Sequence, residues 1–315
     1  MDRPIDDFED VVEAMVKYRD SLPGFEFIIF MYFFCGGAMK MVYSAGQVRA
    51  LHKLGFGWIA ESVVAISSGA AVAAYFLAGW EQTKRGCSLL VNGIPKYMHP
   101  GFQNIGRIID ADGIENELRF GENALDVDRV MSSLTKLYVG VMDRKTGQYL
   151  IQNVCAGDAI SWMKAAMNLL WISKGRVIIN GREYADAGAY VVDLKATIGQ
   201  LDRRPTHILI LPSEAAENLP PAGPIYRFYD WLTFKIYPDR KEQMEASRFD
   251  KVQAQIDWCH ENGIKVGILW PEKVAGISNF TRSPRLLEEA CRRSEAAAES
   301  LFVNTVAGLK EVGRI

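Results

Sequence analysis

Three short groups of residues in this 315-residue chain have the types and spacing that acyl transfer requires. The first is Ala65-Ile66-Ser67-Ser68-Gly69, behind an apolar run and ahead of a small-residue stretch. A nucleophilic serine on a sharp strand-to-helix turn needs small residues two before and two after it, because backbone packs on backbone there. Ser67 meets that demand with Ala65 and Gly69, whereas Ser68 would put Ile66 in the tight position. Ser67 is the expected nucleophile, although a serine at this place also serves as an ordinary helix cap.

The second group is Gly36-Gly37-Ala38-Met39-Lys40, a turn that opens a helix and can aim free backbone N–H groups at a developing oxyanion. Its glycine spacing fits neither a Walker loop nor a dinucleotide fingerprint. A plain strand-to-helix connection would look similar. The third is Asp186 in Tyr184-Ala185-Asp186-Ala187-Gly188, at the end of a predicted hairpin strand. A partly buried carboxylate gains basicity and can serve a serine as its base, while in isolation an Asp here is equally a turn former. His52, His99, His207 and His260 are scattered and none has a comparable setting, so a serine–aspartate dyad is more economical than a triad.

These residues need a scaffold, and the hydrophobic pattern supplies one. After a helix-like opening to about Asp20, the Pro23-Gly24 turn introduces an apolar run over 25–34, read as a buried central strand. Residues 45–54 have helical spacing, with Val48, Leu51 and Leu54 on one face. A second strand, Glu61 to Ile66, leads through Ser67-Ser68-Gly69 to a helix from about Ala70 to Ala78. Strand, glycine turn, helix, strand, tight turn, helix begins a parallel α/β sheet. From Gly79 to about Asp128 the pattern weakens into expected loops and short helices over one edge. Strands at 137–143 and 148–152 follow, then a helix from about Ala159 to Trp171. Asn180-Gly181 between Val177–Ile179 and Arg182–Tyr184 predicts a hairpin. The rest reads as a strand at His207–Leu211, a helix from Ser247 to Cys259, a strand at Lys265–Leu269 and a closing helix from about Pro284 to Leu309. No repeat or linker divides the chain, so a single domain over 1–315 is expected, with its motif-bearing core at about 25–211 and C-terminal helices at about 247–309.

Composition excludes several functions. Lys and Arg number 36 against 38 Asp and Glu, a formal charge of −2, so no global field favours nucleic acid or an anionic membrane. With 49% hydrophobic residues, the chain can bury one large core. Cys35, Cys87, Cys155, Cys259 and Cys291 form no CxxC pair and read as reduced thiols of a cytoplasmic protein. No cysteine or histidine stands at metal-ligand spacing. The acidic N-terminus lacks the marks of a secretory signal, and 25–34 is too short to span a bilayer.

Taken together, the three motifs resemble those of the patatin-like phospholipase family over most of Phe25 to about Leu211. That family carries a Gly-Gly-Gly-x-Arg/Lys-Gly oxyanion turn, a Gly-x-Ser-x-Gly elbow and an Asp-Gly-Gly/Ala turn. Here these are similar to Gly36-Gly37-Ala38-Met39-Lys40-Met41, Ala65-Ile66-Ser67-Ser68-Gly69 and Asp186-Ala187-Gly188. Ala45 to Leu51 resembles the helix after the glycine turn, and Ile179 to Tyr184 the hairpin before the aspartate. Ala38, Met41, Ala65 and Ala187 stand where the family has glycines, and Ala165 to Leu170 replaces its small-residue and proline segment. Met41 is expected to line the acyl pocket.

The resemblance implies an α/β three-layer sandwich with a mostly parallel central sheet. It also implies a phospholipase A-type lipid acyl hydrolase with Ser67 as nucleophile, Asp186 as base and Gly36, Gly37 and Ala38 as oxyanion hole. Lys40, Gly69 and Gly188 would support them, Lys40 by orienting the turn or adding potential near a lipid phosphate. No metal or organic cofactor is required. The expected partner is a phospholipid or other acyl-ester lipid, with peripheral membrane contact, and nothing in the sequence defines an oligomeric state. The aromatic segment Tyr226, Phe228, Tyr229, Trp231, Phe234 and Tyr237 fits either lipid access or core packing. Two other functions keep the fold: a lipid- or partner-binding module that has lost turnover, and a soluble esterase or thioesterase for small acyl groups.

Overall fold

The computed structural model describes residues 6–20, 28–104, 106–154, 158–188, 190, 192–215, 231–248 and 251–315. Five strands form the parallel heart of one sheet: β1 (Phe30–Phe34), β2 (Ser62–Ile66), β3 (Lys136–Asp143), β7 (His207–Leu211) and β8 (Lys265–Ile268). β4 (Tyr149–Asn153), β5 (Val177–Ile179) and β6 (Arg182–Asp186) complete it. Strand order is β5-β6-β3-β2-β1-β7-β8, with β4 also paired to β3. β4 and β6 run antiparallel to β3. Every position of β1 and β2 is buried, as in strands covered on both faces by helices.

Alternation along the strands defines two cores. Phe30, Tyr32, Phe34, Val63 and Ala65 point to one face. There they meet α1 (Phe8–Arg19), α2 (Val42–Lys53), α3 (Gly69–Leu77), α4 (Trp80–Ser88), α5 (Ala111–Phe120), α6 (Val127–Met131), α7 (Ala159–Met167) and the C-terminal helix Pro284–Glu311. Met31, Phe33, Val64 and Ile66 point to the other face, against α8 (Leu194–Ile198) and the helix Val252–Glu261. The result is a helix–sheet–helix sandwich. In register, Phe34 faces Ala65 of β2 and Leu211 of β7, so three parallel strands end side by side. Ligand sites of open α/β sheets form beyond those carboxyl ends.

Several elements differ from their expected extents. Among the described residues the first strand begins at Phe30, and 25–27 lie outside them. The stretch from Gly79 to Asp128 is mostly helical: α4 runs on through a π-turn, Leu89–Gly93, and a 3-10 turn, Ile94–Tyr97, and α5 and α6 follow. Gly93 and Pro95, residue types that ordinarily interrupt a helix, fall inside that tightening of the helix. α7 stops at Met167, four residues early, because the Asn168 carbonyl turns away to accept the Asp186 N–H at 2.9 Å. The helix expected from Ser247 starts at Val252. Of the aromatic segment, residues 226–229 lie outside the described set. Phe234 and Tyr237 pack on the second core, whereas Trp231 is 55% exposed on a helix over 231–236. No helix among the described residues is long and apolar enough to cross a membrane.

Candidate active site

Ser67 leaves β2 with φ at +56°, a left-handed conformation rare for a residue with a Cβ, while Ser68 takes helical angles as the cap of α3. Such a residue costs about 1–2 kcal/mol, so the surroundings must impose it. They do so by close packing. A Cβ on Gly36 would stand 2.5 Å from Ser67 Cβ, and one on Gly69 would meet the Phe34 carbonyl at 3.1 Å. The small-residue logic that separates Ser67 from Ser68 in the sequence is thus the geometry of the turn. Ala65 sits within β2 between Phe34 and Val139, where its methyl is accommodated.

Asp186 ends β6, opposite Val141 of β3, and is fully buried. Its register follows from the Asn180-Gly181 turn, whose residues both have positive φ, the pairing that closes a two-residue hairpin. Ser67 Oγ donates to Asp186 Oδ2 at 2.6 Å. Burial pushes the Asp186 carboxyl up to about 7, opposed by the Ser67 hydroxyl and by the nearby Gly188 N–H. Oδ1 is buried without a well-formed hydrogen bond. Among the described residues no histidine lines the cleft, and His52, on the same side of the sheet, is occupied with the Phe76 carbonyl.

The glycine turn lies against this pair. Ser213, just beyond β7, donates its Oγ to the Gly36 carbonyl, and the Gly37 N–H reaches Ser68 Oγ at 3.4 Å. Among the described residues no hydrogen bond engages the N–H of Gly36 or of Ala38. A Cβ on Gly37 would strike Ser213 Oγ at 2.3 Å. Ala38 has φ at +46°, so the position where the sequence departs from glycine is one where glycine is the unstrained residue. Ala187 lies outside that region and its methyl is buried without strain.

Two sequence expectations change here. Lys40 Nζ is paired with Glu214, so its charge is neutralised beside the turn instead of standing free for a phosphate. Met41 is packed in the sheet core, and Met39 lines the cleft in its place, because the 3-10 turn Ala38–Met41 directs alternate side chains differently from an α-helix. Ser213 and Asn168 carried no signal in the sequence, since each acts through a contact far away along the chain.

Above Ser67 opens an apolar cleft. Ala38, Met39 and Ala71 lie near the serine, and Leu90, Ile114 and Leu118 come from the helical segment beyond α3. Its lining is almost wholly hydrocarbon, as in small-molecule sites generally. This arrangement places a hydroxyl in hydrogen-bond contact with a buried carboxyl group, with backbone N–H groups beside it and an apolar cleft opening onto it.

The fold is that of the patatin-like phospholipases: α/β, three-layered, with a mostly parallel sheet. Among solved structures, human GIVD cytosolic phospholipase A2 superposes with a TM-score of 0.50 at 11% identity, covering 96% of this chain and 63% of its own. VipD from Legionella pneumophila follows with a TM-score of 0.44 at 12% identity, over 88% of this chain and 67% of its own. The chain therefore spans less than two thirds of the human enzyme's length. No protein-family model and no curated protein matches the sequence.

Proposed function

We propose that this chain is a lipid acyl hydrolase that works through a Ser67–Asp186 dyad. The observation that carries the reading is the 2.6 Å hydrogen bond from Ser67 Oγ, which lines an apolar cleft, to a fully buried Asp186. A carboxyl titrating near 7 is a far better proton acceptor at neutral pH than an ordinary aspartate. Ser67 Oγ attacks an ester carbonyl while its proton passes to Asp186. The unengaged N–H groups of Gly36 and Ala38 receive the oxyanion. Asp186 then protonates the leaving alcohol, and the acyl group remains on Ser67 until water, deprotonated by Asp186, releases it. Gly69 and Gly188 keep the turns around serine and aspartate tight, and the Lys40–Glu214 pair holds the glycine turn.

The substrate class follows from the cleft, whose hydrocarbon lining suits a fatty acyl chain of a phospholipid or related ester. The relation to the human phospholipase A2 structure supports the reading at the level of fold. Peripheral membrane contact belongs to the rim, where Trp171, 38% exposed and at φ +65°, follows the cleft-lining Leu169. Tryptophan suits the water–lipid boundary.

A second reading, a lipid-binding module without turnover, is favoured by one observation, the strained Ala38 in the oxyanion turn. Turnover of a fluorogenic long-chain ester separates the two. The wild type is expected to hydrolyse it and Ser67→Ala to retain only binding. Fatty-acid binding without any turnover in the wild type would favour the module.

A further inference from the structure

Beside the cleft the proposed reaction leaves a cluster of thiols and charges unused. Cys87 on α4 and Cys291 on the C-terminal helix are separated by 204 residues in sequence, yet their Sγ atoms stand 3.4 Å apart in a buried site. Arg49 of α2 lies beside them, its Nε paired with Glu295 at 3.0 Å, and Glu295 also takes Lys53 at 2.6 Å. The two sulfurs differ in access. Cys87 lines the apolar cleft, the side from which a small neutral oxidant would approach, while Cys291 does not line it. They differ in chemistry as well. The hydrogen bond from Cys291 draws the Cys87 thiol below its usual value against the effect of burial, with the Arg49 guanidinium adding to it, and Cys291 is correspondingly held as the neutral thiol. Cys35 and Cys259 are buried elsewhere, and burial pushes both thiols up, which leaves them inert.

We propose that Cys87 and Cys291 are a peroxide-responsive thiol pair that forms a reversible disulfide, tying the α4 wall of the cleft to the C-terminal helix. The Cys87 thiolate attacks one oxygen of hydrogen peroxide, breaking the O–O bond and releasing hydroxide, which takes up a proton to leave as water. The resulting Cys87 sulfenic acid is attacked by Cys291 sulfur. The S–O bond breaks, its oxygen leaves as a second water with the Cys291 proton, and the S–S bond forms. Two thiols are oxidised and one peroxide is reduced. A dithiol reductant reverses the step.

The site stands on the thiol geometry alone and is independent of whether Ser67 turns over a substrate. The test treats the intact, reduced chain with hydrogen peroxide, blocks remaining thiols under denaturing conditions and maps peptides without reduction. A Cys87–Cys291 linked peptide, two hydrogens lighter than the sum of its parts and lost on adding dithiothreitol, is the expected result. In Cys291→Ser, dimedone should trap a sulfenic acid on Cys87. The proposal is overturned if both thiols stay free while the protein is oxidised elsewhere. It is equally overturned if Cys87 or Cys291 links to a different cysteine, or if the sulfenic acid in Cys291→Ser appears on another cysteine.

Discussion

A carboxyl group withdrawn from water and given one hydroxyl partner keeps its proton far above the ordinary aspartate range. For Asp186 the folded chain holds that proton up to about 7, whereas an unfolded chain releases it near 3.8. Between those values the folded state binds more protons, so the contribution of this group is present at low pH and lost as pH rises through 7. Asp186→Asn should therefore raise stability at about pH 8, by at most about 4 kcal/mol, with the gain gone near pH 4, which thermal melts at the two pH values will read. The same substitution should lower kcat by orders of magnitude, since the base is removed. In the wild type, kcat/KM should climb through about pH 7 as Asp186 ionises, and a profile flat from about pH 5 to 9 would remove the aspartate from the base role. Ala38 makes the opposite point, that a single methyl can burden a turn. Relief of its left-handed strain is worth about 1–2 kcal/mol, and glycine's freedom in the unfolded chain returns about 0.4–1 kcal/mol. Ala38→Gly should leave the melting temperature equal or slightly higher while kcat rises up to roughly tenfold, because a misaligned oxyanion donor is restored. A fall in kcat would show that the methyl helps to hold the turn.

At the scale of elements, glycines set how closely strands and turns approach. Gly36→Ala would drive its Cβ against Ser67 Cβ, 2.5 Å away, and should lower hydrolysis on the order of a hundredfold with the fold retained. Gly46→Ala on α2 would collide with the Cys291 carbonyl at 2.2 Å, and should destabilise the contact with the C-terminal helix by about 1–3 kcal/mol without touching the dyad. A chemical denaturation series distinguishes the two effects. Elements that rest on local signals were legible in the sequence. The Asn180-Gly181 hairpin, the elbow between Ala65 and Gly69, and the apolar strands β2 and β7 lie within a residue or two of where pattern and turn chemistry put them. The segment from Gly79 to Asp128 was legible only as short helices among loops, without their bounds or how much of it is helical. Its helices are short and punctuated by Gly93, Pro95 and Gly113, and what stabilises them is packing on α2, α3 and α7, which no local pattern carries. For the same reason the pocket role given to Met41 fell to Met39, since a 3-10 turn and an α-helix rotate successive side chains by different angles.

Over the whole molecule, five parallel strands, the antiparallel β6 and two helical layers converge on one outcome: Ser67, Asp186 and the glycine turn meet at the carboxyl ends of β2, β6 and β1, beneath an apolar cleft. Ser67 and Asp186, which the fold brings into hydrogen-bond contact, could be singled out in the sequence because each sits in a motif constrained by backbone geometry. The cleft could not, because its wall is assembled from α2, α3, α4, α5 and the turns between them, far apart in the chain. Its hydrocarbon lining predicts a preference for long acyl chains. Each added methylene should contribute about 0.8 kcal/mol of binding until the cleft is filled, so KM for a series of esters should fall severalfold per step and then level off. A KM indifferent to chain length would point instead to a small-ester hydrolase. The most direct measurement is covalent labelling of the intact chain with a long-chain fluorophosphonate, followed by peptide mapping. A single adduct on Ser67, absent from Ser67→Ala, persisting in Ser68→Ala and slowed by orders of magnitude in Asp186→Asn, is the predicted result. An unlabelled chain under conditions where it binds fatty acid, or an adduct on Ser68 or elsewhere, would contradict a hydrolase built on Ser67 and Asp186.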